Sequence, residues 1–157
     1  MSEHIEGESL QVGRVTPVHF KQLAVFFDLI KREKEDAFFH PHPFDRENAE
    51  KIANYSGKDL YCIASFANEV LAYGMLRGWD EGFEKPSLGI IVSSARRKLG
   101  LGHFFMSYLH LAAKLKGAGK VRLKVYPDNT PALALYRSIG YSFLGEENGQ
   151  LVGEIEL

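Results

Sequence analysis

A turn that combines glycines with cations is the first part of the sequence whose residue types could do chemistry. It follows an apolar run at 87–92 and precedes an amphipathic stretch. Glycine has no Cβ, so the backbone can approach a ligand closely, and the next helix offers free N–H groups at the positive end of its macrodipole. The cations and glycines are Arg96, Arg97, Lys98, Gly100 and Gly102. Together they predict a site for a pyrophosphate or a similar anion.

The spacing in this turn excludes two familiar nucleotide sites and leaves one alternative open. The segment has no Lys-Ser/Thr dipeptide of the kind that completes a Walker A loop, and no third glycine spaced for a dinucleotide fold. NTPase and NAD-binding interpretations are therefore excluded. A glycine-rich turn beside a solvated basic run explains these residues equally well when they are taken alone.

A second segment places polar and aromatic groups on one face of a predicted helix. Counted from Asn129, the residues Ala132, Leu133 and Tyr136 fall at i+3, i+4 and i+7, which share a helical face. Gly140 then ends the helix, with a left-handed conformation expected there. Taken alone, Tyr136 is more simply explained as a core aromatic whose hydroxyl reaches the surface.

The apolar periodicity predicts the elements that must position these two segments. We expect strands at 11–15, 59–67, 70–77, 87–92, 121–125, 141–145 and 151–157, and helices at 17–33, 46–55, 102–116 and 130–138. Asp45 is a candidate cap for the second helix, and Asn68-Glu69 and Asn148-Gly149 are expected to form hairpin turns. The order β-α-α-β-β-β-α-β-α-β-β predicts a mixed α/β (α+β) fold. We expect one domain over 1–157, with a flexible N-terminus at 1–9.

Composition limits the binding partners and the cellular compartment that we expect for the chain. With 45% hydrophobic and 25% charged residues, it resembles an average globular protein. The net charge of -1 predicts no binding to nucleic acid or to an anionic membrane. Cys62 is the one cysteine and stands among apolar residues, which predicts a buried thiol and a reducing compartment. No secretory signal pattern or membrane-spanning run is found, so we expect a soluble cytoplasmic protein.

Together, the two segments resemble the Gcn5-related N-acetyltransferase (GNAT) family. That family has Arg or Gln, two residues, Gly, one residue, then Gly or Ala, followed later by an asparagine, a tyrosine and a glycine-aromatic pair. The matching residues are Arg97, Gly100, Gly102, Asn129, Tyr136, Gly140 and Tyr141. The resemblance covers about 59–157 strongly and the first helices more loosely. Two departures are Ser94, where the family often has proline, and Lys98, where it often has glycine.

The resemblance implies a mostly antiparallel, twisted sheet of about seven strands with flanking helices, and a site for acetyl-CoA as co-substrate without a metal. Pantetheine would pair with the strand that ends at Val92, and an N–H near Val92 would polarise the thioester. Tyr136 would protonate the departing thiolate. The residues implied to bind the cofactor are Ile90, Ile91, Val92, Arg97, Lys98, Leu99, Gly100, Leu101, Gly102, His103, Asn129, Ala132 and Tyr136.

The acceptor is predicted to be a small-molecule primary amine, such as an amino sugar or an amine metabolite. Candidate residues for the acceptor site or the general base are His40, His42, Trp79, Asp80 and Glu81. The alternatives are a peptide or protein N-acetyltransferase and a non-catalytic acyl-CoA sensor. The closing strand at 151–157 is a candidate exposed edge for pairing in a homodimer.

Overall fold

The computed structural model describes residues 9–39 and 41–157, apart from the side chain of Asp36. Of the segment expected to be flexible, residues 1–8 lie outside this part, and so does the candidate acceptor residue His40. None of the helices in the described ranges is long and apolar enough to cross a membrane.

Seven strands form one mixed sheet in the spatial order β1-β2-β3-β4-β5-β7-β6. Every neighbouring pair is antiparallel except β4 and β5, which run parallel. The strands are β1 (Gln11–Arg14), β2 (Leu60–Phe66), β3 (Glu69–Arg77), β4 (Ser87–Val92), β5 (Lys120–Val125), β6 (Ser142–Glu147) and β7 (Gln150–Glu156). The predicted fold class and sheet are confirmed.

Four α-helices flank the sheet in the predicted order. They are α1 (Phe20–Arg32), α2 (Arg46–Ala53), α3 (Leu101–Leu115) and α4 (Thr130–Ile139). Asp45 caps α2 as predicted, because its Oδ1 accepts the Asn48 N–H at 2.8 Å. The first predicted helix begins differently: Pro17–His19 forms a 3₁₀ turn before α1.

One predicted turn is displaced by a residue. The β2–β3 hairpin turns at Ala67 and Asn68, whose φ angles are 49° and 64°, and Glu69 already belongs to β3. Positive φ at both central residues is the geometry of a type I′ turn, which matches the twist of the flanking strands. The other predicted hairpin turn is confirmed, since Asn148 and Gly149 have φ angles of 52° and 81°.

Each face of the sheet buries its own core. Phe105, Met106 and Leu109 of α3 are fully buried on one face, at the i, i+1 and i+4 spacing of a core-facing helical stripe. Full burial of such a side chain contributes about 1.5–3 kcal/mol. On the other face, Phe27 of α1 packs edge-on against Tyr73 of β3, with ring centroids 5.1 Å apart. We call these two faces the α3 face and the α1 face.

The buried thiol predicted for Cys62 is confirmed, since its residue is 0% exposed in the α3-face core. Burial raises the pKa of the Cys62 thiol to about 12, although a hydrogen bond with Tyr108 opposes the shift. The thiol therefore stays protonated and behaves as a small apolar side chain.

The closing strand is not an exposed edge. β7 pairs with β5 on one side and with β6 on the other, so its backbone groups are used within the chain. The prediction failed because the Asn148-Gly149 hairpin folds β7 inward and leaves β6 outermost. Among the described strands, β1 and β6 are the two edges of the sheet.

Candidate active site

β4 and β5 are joined at one end and separate toward the other. Within the described ranges, Ser87 and Arg122 are the one residue pair in register between them. The Arg122 N–H donates to the Pro86 carbonyl at 2.9 Å, next to this pair. The remaining lengths of both strands therefore border a gap, and the gap opens toward their carboxyl ends.

The backbone of β4 faces this gap at alternate residues. The Ser93 N–H donates to the Leu71 carbonyl of β3 at 2.9 Å. In an antiparallel pair, the residues that bond to the neighbouring strand alternate. Ile91 therefore bonds toward β3, whereas the N–H and C=O groups of Ile90 and Val92 face the gap. Of the three residues predicted to pair with pantetheine, these two present their backbone to it.

The turn after β4 exposes donors at the start of α3. Gly100 adopts φ +79°, and the first helical bond runs from the Phe104 N–H to its carbonyl at 3.0 Å. The N–H groups of Leu101, Gly102 and His103 precede that bond and are free to meet a ligand. Lys98 has φ +66°, a conformation that glycine adopts at least cost. This explains why the GNAT family often has glycine there.

The cations of this turn have different environments. Arg96 contacts Glu69 at 3.0 Å, and Arg97 lies 3.6 Å from Glu35. Lys98 makes no ion pair within the part of the chain that the structure describes, and its residue is exposed. The charge available to an anion therefore comes first from Lys98, with Arg97 available once it separates from Glu35.

A pair of acidic residues that sequence reasoning missed holds this turn. The Ser94 N–H and Oγ donate to Glu35 Oε2 and Glu33 Oε2, each at 3.2 Å. Burial raises the pKa of Glu35, but the hydrogen bonds from Ser94 and the charge of Arg97 outweigh it and keep that pKa below its usual value. About 60 residues separate the partners, so no local pattern predicts the contact.

Helix α4 packs beside the N-terminus of α3. A Cβ on Gly102 would lie 3.3 Å from Leu135 Cδ2, so the missing side chain allows close contact between the helices. His103 Nε2 lies 3.2 Å from Ser138 Oγ. Gly140 ends α4 in the predicted left-handed conformation, with φ +117°. The two segments singled out in the sequence are thus adjacent in the fold.

Tyr136 is buried on α4. Its residue is 7% exposed, and burial raises its pKa to about 12. The ring lies 5.7 Å from that of Tyr141, whose hydroxyl contacts His110 Nε2 at 2.6 Å. Among the described residues, the Tyr136 hydroxyl has no hydrogen-bond partner. Asn129 is the N-cap of α4 but makes no side-chain capping bond, so its amide is also uncommitted there.

A cavity of about 690 Å³ lies on the α1 face beside the gap. Gly89 of β4 lines it, together with the loop that joins β3 to β4. Of the residues predicted for the acceptor, Glu81 lines this cavity. Its size is within the range typical of small-molecule sites.

Trp79 and Asp80 lie outside the cavity lining. The Trp79 ring packs toward the α3-face core and lies 4.8 Å from Lys116 Nζ. The Asp80 carboxylate accepts the Lys58 N–H at 2.8 Å and the Tyr55 hydroxyl. Both residues fasten the loop, which leaves Glu81 as the member of this trio that faces the cavity.

His42 lies in an aromatic cluster. Its Nδ1 lies 2.8 Å from the Pro43 carbonyl and its Nε2 2.8 Å from the Tyr73 hydroxyl. Donation from Nδ1 to the carbonyl leaves Nε2 to accept from Tyr73. Burial lowers the pKa of His42, and Arg77 adds to this effect, while the Pro43 carbonyl and Asp45 oppose it. With both nitrogens engaged, the imidazole packs against the aromatic cluster, and its role in the acceptor site stays a prediction.

Asp59 is a positioning residue that sequence reasoning missed. Its Oδ1 accepts the N–H groups of Gly78, Trp79 and Asp80 at 3.0, 2.9 and 3.2 Å. The residue is 6% exposed. One buried carboxylate thereby fixes the start of the loop that carries Glu81.

Replacing this carboxylate should destabilise the fold. We expect Asp59→Ala to lower the free energy of unfolding by about 3 kcal/mol, since it leaves several buried donors without an acceptor. Asp59→Asn keeps an oxygen acceptor and should cost about 1 kcal/mol. Urea unfolding measures both. Equal losses in the two variants would show that the acceptor oxygen does not hold the loop.

The described residues contain no group of three His, Cys, Asp or Glu side chains that could hold a metal ion.

Comparisons with known proteins agree with this geometry. The chain matches the acetyltransferase (GNAT) family over residues 24–141. The GNAT domain of S. lividans PAT superimposes with a TM-score of 0.82 at 16% identity, covering 97% of this chain and 93% of that one. PaiA N-acetyltransferase from Thermoplasma acidophilum, solved in complex with coenzyme A, gives a TM-score of 0.76 at 11% identity, covering 95% and 99%. Likenesses at such identity show the fold.

A curated relative has a higher sequence identity to this chain than these two structures have. An uncharacterized protein of Mycobacterium leprae is 31% identical over 148 residues, which is 89% of this chain. The chain spans 36% of the length of that relative. Because the family match extends over most of the sequence, the chain belongs to the GNAT family of acetyltransferases.

Proposed function

We propose that this GNAT acetyltransferase moves the acetyl group of acetyl-CoA to a primary amine of a small molecule, by direct attack. The observation that carries the proposal is the arrangement around the gap between β4 and β5. Free N–H groups at the start of α3 lie at its open end, and a cavity of small-molecule size adjoins it on the α1 face. Donor and acceptor would meet at the gap from opposite sides of the sheet.

The donor half of the proposal rests on unpaired backbone groups. The N–H groups of Leu101, Gly102 and His103 suit a diphosphate, assisted by Lys98 and Arg97. The ladder groups of Ile90 and Val92 suit an extended amide chain such as pantetheine, which would add to β4 as a short strand. The solved coenzyme A complex of PaiA N-acetyltransferase, which shares this fold, supports the same donor.

The chemistry follows from this placement. The neutral amine attacks the thioester carbonyl and forms a carbon–nitrogen bond, and the carbonyl oxygen becomes an oxyanion. The Val92 N–H faces the gap and would stabilise that charge by about 3 kcal/mol, a typical loss when such a donor is removed. The carbon–sulfur bond then breaks, and Tyr136 donates its proton to the thiolate. The proton that the attacking nitrogen must lose to become an amide passes through water and restores the Tyr136 phenol.

The raised pKa of Tyr136 is compatible with this role. At neutral pH the phenol keeps its proton. Burial likewise raises the proton affinity of a thiolate, as the pKa of about 12 at Cys62 illustrates. In a water-poor site the phenol therefore stays protonated, and the departing thiolate is a stronger base than it is in water. Glu81, which lines the cavity as Glu84 does, would take the ammonium proton through water before attack.

A thiol-release assay tests the proposal together with calorimetry. We expect acetyl-CoA to bind the purified protein, and we expect a panel of small primary amines to include an acceptor that releases CoA. Peptides with free N-termini form the comparison panel. Binding without thiol release from any amine would favour a non-catalytic acyl-CoA sensor, and release with peptides alone would favour a protein acetyltransferase. Absence of acetyl-CoA binding at millimolar concentration would refute the function.

A further inference from the structure

A row of two arginines and a serine crosses three neighbouring strands on the floor of the cavity. Arg77 of β3 lies opposite Ser87 of β4, and Ser87 is in register with Arg122 of β5. Leu76 and Leu88, the next residues in register, belong to the α3-face core. The three side chains of the row therefore point to the α1 face, where all three line the cavity.

The cations of this row and the neighbouring Lys124 outnumber the carboxylates that pair with them. Arg122 and Lys124, which also lines the cavity, share one partner, Glu147, with Lys124 Nζ 3.3 Å from its carboxylate. The hydrogen bond from Lys124, aided by the charge of Arg122, lowers the pKa of Glu147, so this partner is ionised. Arg77 donates to a neutral acceptor, the Pro41 carbonyl, at 3.1 Å.

One donor in the row has no acceptor. Arg122 Nε is buried and lacks a hydrogen-bond partner among the described residues, although its guanidinium contacts Glu147. A buried guanidinium donor without a partner costs free energy unless a ligand supplies an acceptor. Guanidinium groups bind carboxylate and phosphate oxygens through two parallel N–H donors. Arg77 and Arg122 both line the cavity, so their guanidinium groups suit an oxyanion bound there.

From these observations we infer that the acceptor carries a carboxylate or phosphate group, which binds across Arg77, Ser87 and Arg122 with help from Lys124. This inference rests on the proposed function, because it describes the acceptor of that reaction. Glu81, Glu84 and Lys85 of the cavity lie on the loop, where Lys85 is paired with Glu154 of β7 at 2.6 Å. The loop therefore offers two carboxylates to an ammonium group, and the row on the sheet offers its cations to an anion, as an amine that also bears an anion requires.

The strand geometry adds a length requirement. The row lies at the closed end of the gap, and Val92, whose N–H would stabilise the oxyanion, is five residues beyond Ser87. Five residues of a β-strand span about 17 Å. Since the arginine side chains can lean along the strand, the acceptor's amine and anion should stand several ångströms apart. An α-amino acid, whose amine and carboxylate are adjacent, is too short.

Acceptors with one common six-carbon chain test the inference. We expect 6-aminohexanoate or 6-aminohexyl phosphate to exceed hexylamine by about tenfold or more in kcat/KM, and the better of the two identifies the anion. Glycine should be a poor acceptor. Arg122→Gln and Lys124→Gln should each reduce that preference several-fold, mainly through KM. Lys120→Gln, which lies on the same strand outside the cavity lining, should keep it.

Each variant is also tested by calorimetry with acetyl-CoA and, separately, by thermal unfolding. Unchanged donor binding and a retained unfolding transition show that the variants are folded and that the donor site is intact. Equal kcat/KM for hexylamine and both anionic chains, with turnover intact, would overturn the anion site and leave the proposed function standing. A wild-type protein that binds no acetyl-CoA would instead refute the proposed function itself.

Discussion

Tyr136→Phe should lower kcat by about 100-fold or more, within the range of roughly 10²–10⁴ that a positioned general acid contributes. The substitution removes one oxygen from a side chain that is 7% exposed and whose hydroxyl has no partner in the described protein. The core packing of the ring is therefore kept. Acetyl-CoA affinity should stay within about twofold, since the predicted proton transfer follows binding. Steady-state thiol release and calorimetry measure the two quantities.

Tyr141→Phe is the matched control for this prediction. Its ring lies 5.7 Å from that of Tyr136, and its hydroxyl contacts His110 rather than the gap. We expect it to cost stability, because it removes a buried hydrogen bond, but to leave kcat nearly unchanged. If Tyr136→Phe and wild type turn over at equal rates, Tyr136 takes no part in proton transfer. If both tyrosine variants slow turnover equally, the effect comes from packing.

Gly100→Ala should weaken acetyl-CoA binding by about 5- to 30-fold. Gly100 has φ +79°, and a left-handed conformation costs a residue with a Cβ about 1–2 kcal/mol. Without ligand, the turn of the variant can relax and avoid this strain. A diphosphate needs the N–H groups at the start of α3 to be aligned, so its binding must restore the strained conformation, and this cost weakens the affinity. Each 1.4 kcal/mol corresponds to a tenfold change in Kd. Calorimetry with acetyl-CoA and with CoA measures the loss.

Gly117→Ala provides the comparison at the other end of the same helix. Gly117 has φ +95°, and, as at Gly100, a Cβ there would meet nothing within 4 Å. The two substitutions should therefore cost similar stability, whereas only Gly100→Ala should reduce acetyl-CoA affinity. Equal acetyl-CoA affinity in both variants would show that the first turn of α3 does not bind the cofactor.

Local signals in the sequence predicted much of the fold. Asp45 caps α2, Gly140 ends α4 and Asn148-Gly149 turns the last hairpin, as expected. Each of these depends on residues within one turn of one another. Apolar periodicity likewise located all seven strands and four helices, with ends shifted by a few residues.

Pairings between distant residues could not be predicted in the same way. Periodicity assigns a strand but not its neighbours, so β7 was expected at an edge and lies inside the sheet. The contacts of Ser94 with Glu33 and Glu35 depend on how the segment after α1 lies against the turn after β4.

The candidate site likewise combines features that local residues predict with features that depend on distant pairings. The turn before α3 was predicted from its own residues, whereas the row of Arg77, Ser87 and Arg122 exists only once three strands are in register. The individual roles of Tyr136, Asn129 and the β4 backbone remain predictions from the family resemblance, and the experiments above address them.

The inward position of β7 has a consequence for how the protein assembles. β6 precedes β7 along the chain, yet β7 is the strand that joins it to the rest of the sheet. A growing polypeptide therefore cannot add its strands in the order of synthesis. Because the β6–β7 turn is tight and local, the hairpin can form early and then dock on β5 as a unit. The wall that Gln150 of β7 adds to the cavity is then completed only when this hairpin docks on β5.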